Sequence, residues 1–122
     1  MITDNAATGI DYYSGGGGMW CRYSSPTLSD VTFSVNTADW RGGGMYSVSS
    51  SPTLSNVTIT GNTAEQGGGM YQYESSSTLT NMTITGNTAS SSGGGMGLLG
   101  SNPFLSNVMI TSNTASYTGG GM

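Results

Sequence analysis

The stretch "GGGMYSVSSSPTLSNVTITGNTAEQGGGM", residues 42–70, closes on the four letters with which it opens. The closing methionine recurs as Met19, Met45, Met70, Met96 and Met122, at intervals of 25 or 26 residues. A fixed period of this length marks a repeat architecture, so the copies are aligned before any element is assigned. Leu28, Leu54, Leu79 and Leu105 then form one column, and Asn36, Asn62, Asn87 and Asn113 another. Asn5 extends the second column, because "MITDNAA" (1–7) matches "MITSNTA" (109–115). Only the segment from asparagine to the next methionine changes length. A variable loop therefore sits at one corner of each repeat, with "TGIDYYSG" (8–15) in its longest version.

Within "LSNVTITGN" (54–62), Val57 and Ile59 alternate with Thr58 and Thr60, which is the period of a strand. β-branched residues fill this strand, and glycine and asparagine close it. The matching inward sets are Leu28, Val31 and Phe33; Leu79, Met82 and Ile84; and Leu105, Val108 and Ile110. A second short strand is predicted to start at each methionine, as in "MYSV" (45–48) and "MYQY" (70–73). Serine, threonine, glycine and asparagine form helices too poorly to support the alternative.

Two solenoids use such a strand. The spelling L-x-x-V-x-I-x-x-N is similar to a leucine-rich repeat, but that architecture needs more apolar positions on the returning side than "TAEQGGGMYQYESSST" (63–78) supplies. The fold class expected is all-β: a right-handed parallel β-helix, or β-solenoid, of four to five rungs, forming one domain over residues 1–122 with uncapped ends. Like residues then stack. The core columns are Leu28, Leu54, Leu79 and Leu105; Ile59, Ile84 and Ile110; and Met45, Met70 and Met96, with small alanines beside them. Asn5, Asn36, Asn62, Asn87 and Asn113 are expected to turn inward at a corner as a ladder of bonded amides. Glycine triplets permit positive φ or close backbone approach at another corner. One rung buries too little apolar surface to offset the entropy of ordering it, so a stack is obligatory.

Composition narrows the function. The chain has 122 residues and a net charge of −4, is only 7% charged, and contains neither lysine nor histidine. That excludes a basic nucleic-acid surface, and no apolar run approaches the length of a membrane span. Cys21 stands alone, so no internal disulfide forms, and it is read as a small buried residue.

GGGM followed by a strand and then "FSVN" (33–36), "ITGN" (59–62) or "ITSN" (110–113) resembles the GGA-I/L/V and FxxN repeats of the chlamydial polymorphic outer-membrane proteins and related bacterial β-helix surface proteins. Two departures stand out: methionine closes the GGG motif, and FxxN is literal only once. The resemblance implies an exported passenger with an adhesive or surface role. Neither end carries a polar capping sequence. The expectation is therefore a piece of a longer repeat chain, or copies that stack end to end into a fibre.

No cofactor or metal site is expected. The carboxylates Asp4, Asp11, Asp30, Asp39, Glu65 and Glu74 fall in different columns, the only cations are Arg22 and Arg41, and Asp39 with Arg41 is read as an exposed pair. "GGGG" (15–18) is followed by no GK-S/T and is not a phosphate loop. If Met45 points inward, Tyr46 and Val48 point outward, as do Trp20 and Arg22, Tyr71 and Tyr73, and Gly97 and Leu99. Trp20, Tyr46, Tyr71 and Tyr73, with the loop residues Trp40, Tyr12 and Tyr13, form the candidate contact surface for a glycan or a surface protein. Thr32, Thr58, Thr60, Thr83, Thr85 and Thr111 form a hydroxyl array similar to that of ice-binding solenoids. Asn56-Val-Thr and Asn81-Met-Thr are formal glycosylation acceptors, read as structural because they fall inside a repeated strand. The function expected is a non-enzymatic extracellular or cell-surface solenoid, structural or adhesive. Ice binding and carbohydrate binding or degradation are the alternatives.

Overall fold

The computed structural model describes residues 1–11 and 14–122, and the regular structure among them is β-strand throughout. One rung contains the strands Met45–Val48, Thr53–Ser55, Thr58–Thr60 and Thr63–Gln66. In the following two rungs the middle pair merges into Thr78–Thr85 and Phe104–Thr111. Every pairing between rungs is parallel, and the strands gather into three sheets. One holds the strands that start at methionine, one the alanine strands, and the third everything between.

Register follows the columns. Met70 pairs with Met45 and Met96, Leu79 with Leu54 and Leu105, Ile84 with Ile59 and Ile110, and Ala64 with Ala89. A one-residue slip would turn every inward side chain outward, so the buried face locks the register. The corner that changes length absorbs its extra residue as a bulge: Ala64 faces Ala89, but Gln66 faces Ser92.

Four corners per rung carry left-handed backbone. In the rung of Met45 these are Ser49, Asn56, Gly61 and Gly67, at φ 47°, 54°, 65° and 61°. The first glycine of the triplet takes the left-handed turn, and the other two allow close approach. A Cβ on Gly68 would lie 2.3 Å from the Thr88 carbonyl oxygen of the next rung. Val35 shares a corner column with Gly61 and Gly86 yet holds φ 55° with a β-branched side chain. Its side chain is 59% exposed and contributes little packing. Val35→Gly is therefore expected to raise the melting temperature by about 4 °C, relief of roughly 1 kcal/mol of left-handed strain net of glycine's entropy, read by thermal circular dichroism.

The interior is one cluster that includes Phe33, Leu54, Val57, Ile59, Met45, Met70, Leu79, Met82, Ile84 and Met96. Cys21 belongs to it, and burial pushes its thiol pKa up. The expected core is corrected at its margins. Leu28 and Ile110 are half-buried and Leu105 is 37% exposed, because rungs at the margins of the described stack have a neighbour on one side only.

A buried polar pair interrupts the apolar columns beside Met70 and Leu79. Gln72 occupies the column of Ser47 and Leu98, and Ser77 precedes Thr78 where Pro52 and Pro103 precede the equivalent residues. Gln72 Nε2 donates to Ser77 Oγ at 2.7 Å, while Gln72 Oε1 and Ser47 Oγ are buried without a hydrogen-bond partner. Gln72→Leu takes the donor from Ser77 Oγ, and Ser77→Pro leaves Gln72 Nε2 only its weak bond to Met70 Sδ at 3.6 Å, so each alone is expected to cost about 1–3 kcal/mol. The double variant restores the Leu98 and Pro103 arrangement and is expected to match or exceed the parent, measured as a urea double-mutant cycle.

Candidate functional site

The inner amide ladder runs in one direction. Asn5 Nδ2 donates to Asn36 Oδ1, Asn36 to Asn62, Asn62 to Asn87 and Asn87 to Asn113, each at 3.0 Å. Each Oδ1 also accepts the backbone N–H of the preceding ladder residue. Asn36, Asn62 and Asn87 are fully buried, while Asn113 is half-buried and Asn5 exposed.

A second ladder lies on the outside. Asn107 Nδ2 donates to Asn81 Oδ1 at 2.8 Å, Asn81 to Asn56 at 3.1 Å, and Asn56 to Asp30 at 3.1 Å, so its donors point opposite to those of the inner ladder. Asn56 is thus corrected from a strand-embedded residue to an exposed corner between Thr53–Ser55 and Thr58–Thr60, while Asn81 stays inside the strand Thr78–Thr85; both are exposed and left-handed, at φ 54° and 52°. Asn tolerates that backbone because its short amide bonds locally.

The aromatic stripe is corrected most. Tyr46 and Tyr71 point away from the interior, as strand alternation requires, yet they are 0% and 6% exposed. Together with Val48 and Tyr73 they form a second cluster under the returning corner segment. The Arg41 guanidinium lies 4.4 Å from the Trp40 ring centroid and 4.8 Å from that of Tyr71. Its Nη1 donates to Tyr46 Oη and its Nε to Gln66 Oε1, and the two tyrosines meet edge to face at 5.8 Å. Arg41 is only 7% exposed, which corrects the exposed Asp39–Arg41 pair; Asp39 instead accepts from the Gly9 N–H. Tyr73 and Trp40 are half-buried, Trp20 is exposed, and Tyr12 and Tyr13 lie outside the described residues.

Along this face the covering column shrinks from Arg41 and Gln66 to Ser92 and Thr118, while the covered one shrinks from Tyr71 to Gly97. A cavity of about 270 Å³ opens there, lined by Tyr71, Ser92, Leu98 and Thr118 among others.

The hydroxyl array is laid out in register, Thr58 with Thr32 and Thr83, and Thr85 with Thr60 and Thr111. All but Thr111 are half-buried against their neighbours. Exposed threonines stand in two columns that the sequence reading passed over: Thr27, Thr53 and Thr78, and Thr37, Thr63, Thr88 and Thr114. The second was signalled by the "TA" that follows each ladder asparagine from Asn36 onward.

The carboxylates do not converge. Asp4 accepts from Thr3, Asp11 from Ser14, Asp39 from Gly9, and Asp30 ends the outer ladder. Among the described residues no three His, Cys, Asp or Glu side chains come together as a cation site.

A parallel, in-register coil of this kind defines a β-solenoid. The family model described as "Right handed beta helix region" matches residues 1–122, so the chain belongs to that family. No curated protein and no solved structure matches it.

Proposed function

We propose that this chain is a non-catalytic, extracellular or cell-surface solenoid that serves as a rigid structural or adhesive stalk, with its contact surface on the outward side of the methionine-strand sheet. The observation that carries this reading is the distribution of side chains. The inward columns pack one apolar cluster, the two amide ladders tie successive rungs together, and both arginines gather with Trp20, Trp40, Tyr46 and Tyr71 on one outer face. The likeness to the GGA and FxxN repeats of exported surface proteins points the same way. An unpaired edge of a parallel coil accepts a further parallel strand, so association of copies would add rung to rung.

The test uses the purified chain with a panel of soluble polysaccharides. The expected result is no release of reducing ends or unsaturated products with any of them. In sedimentation velocity, any self-association should build longer rods rather than closed dimers. Product release that disappears on substituting a carboxylate would overturn the stalk in favour of a polysaccharide-degrading helix. Thermal hysteresis in supercooled solution, lost on Thr63→Lys, would replace it with ice binding.

A further inference from the structure

Both arginines and both tryptophans of this acidic chain lie on the outward side of the methionine-strand sheet or in the corner that covers it. Arg41 and Trp40 are engaged with each other and with the buried tyrosines. Trp20 and Arg22 alternate outward on Met19–Arg22 and are both exposed, with Trp20 at 44%. Their positions i and i+2 set them about 6.6–7 Å apart on one face. Tyr23 follows at a left-handed corner, φ 51° and 71% exposed. The Arg22 guanidinium carbon stands 4.7 Å from its ring centroid, and Nη2 donates to its hydroxyl at 3.3 Å. Stacking on Tyr23 limits the rotamers of Arg22 beside the indole, so less entropy is lost when the fork takes a ligand.

Elsewhere the exposed outer positions are mostly threonine, serine and asparagine, with Val35, Leu99, Phe104, Met109 and Tyr117 among the exceptions. Among the described residues, Trp20 and Arg22 are the exposed aromatic and cation on one strand face, whereas Arg41, stacked on Trp40, is 7% exposed. Glu74, two rungs along the corner column of Tyr23, bounds the region on its far side with the opposite charge.

We propose that Trp20, Arg22 and Tyr23 bind a glycan chain bearing carboxylate or sulfate groups, one sugar ring stacking on the Trp20 indole while an acidic substituent takes the Arg22 fork. The proposal rests on the contact-face reading above and names its ligand class. An aromatic plane suits the apolar face of a sugar ring, and guanidinium matches a planar acid by two parallel hydrogen bonds. Net charge works against the association, so binding to a polyanion requires a local site rather than a diffuse field.

Affinity electrophoresis of the whole chain through gels containing alginate, dextran sulfate or neutral dextran tests it. Retardation is expected with alginate or dextran sulfate and not with dextran, weakening as salt is raised. Trp20→Ala and Arg22→Gln should each weaken it about tenfold, and Arg22→Lys less than Arg22→Gln, because a point charge keeps the attraction without the fork. Circular dichroism confirms that each variant is folded. Equal retardation by dextran overturns the acidic ligand, and so does full retardation of the Trp20→Ala and Arg22→Gln variants. Retardation by none of the three overturns this inference as well, whereas the stalk falls only to the turnover or ice-binding results named for it.

Discussion

Ile59→Asp is expected to leave the chain unfolded at room temperature, while Thr58→Ala, one residue away on the same strand, is expected to fold with nearly unchanged stability. Ile59 is fully buried, stacked between Phe33 and Ile84 in neighbouring rungs, and a Cβ on Gly44 would lie 3.1 Å from its Cγ2. Replacing it removes about 3 kcal/mol or more of apolar contact and leaves a carboxylate with no cation facing it, a further several kcal/mol. The sum consumes most of the roughly 5–15 kcal/mol that holds a domain folded. The loss also spreads to both neighbours, since a solenoid's stability is a sum of rung and interface contributions. Thr58 points the other way and is half-buried among threonines, so its truncation is expected to cost under about 1 kcal/mol. Far-ultraviolet circular dichroism and urea titration of both variants decide the matter. Equal damage from the two would mean that the inner and outer faces are exchanged.

This asymmetry was legible in the sequence because stacking puts like on like. Once Leu54 aligns with Leu79 and Met45 with Met70, counting residues gives the register, and alternation gives the inward set. What alternation does not give is what lies over the outer side. Tyr46 and Tyr71 point outward and are nonetheless buried, because Arg41, reached through a corner of variable length, lies across them. Outward equals exposed only where no second layer covers the sheet.

The outer asparagine ladder had a signal that went unread. Inward Leu54 and inward Val57 are three residues apart, an odd number for one pleat, so a residue between them must break the alternation. Asn56 does so with its left-handed backbone. At Leu105 the difficulty was another: its column predicts an inward direction, while its burial depends on how many rungs flank it.

The second large effect expected is at Asn62, and its comparison with Asn56 isolates burial as the cause. Asn62 Nδ2 donates to the Phe33 carbonyl at 3.1 Å and to Asn87 Oδ1 at 3.0 Å. Its Oδ1 accepts from the Asn36 backbone N–H at 2.9 Å and from Asn36 Nδ2 at 3.0 Å. Asn62→Ala removes all four bonds from a site with no exposure. The Asn36 N–H then loses its acceptor and the Phe33 carbonyl loses a donor, while Asn36 Nδ2 keeps its bond to the Ile2 carbonyl and Asn87 Oδ1 keeps the Asn62 N–H. Two buried groups that lose a hydrogen-bond partner, at about 1–3 kcal/mol each, with the cavity added, give an expected loss of roughly 3–6 kcal/mol. Asn56 also bonds to like residues in the rungs on either side, Asp30 and Asn81, but it is exposed, and water takes up whatever Asn56→Ala leaves unpaired. Its expected loss is under about 1 kcal/mol, mostly from exchanging asparagine for alanine at a left-handed corner. Urea midpoints of the two variants should therefore separate widely. Near-equal midpoints would show that the inner corner is reached by water, and that the solenoid is held by its apolar columns alone.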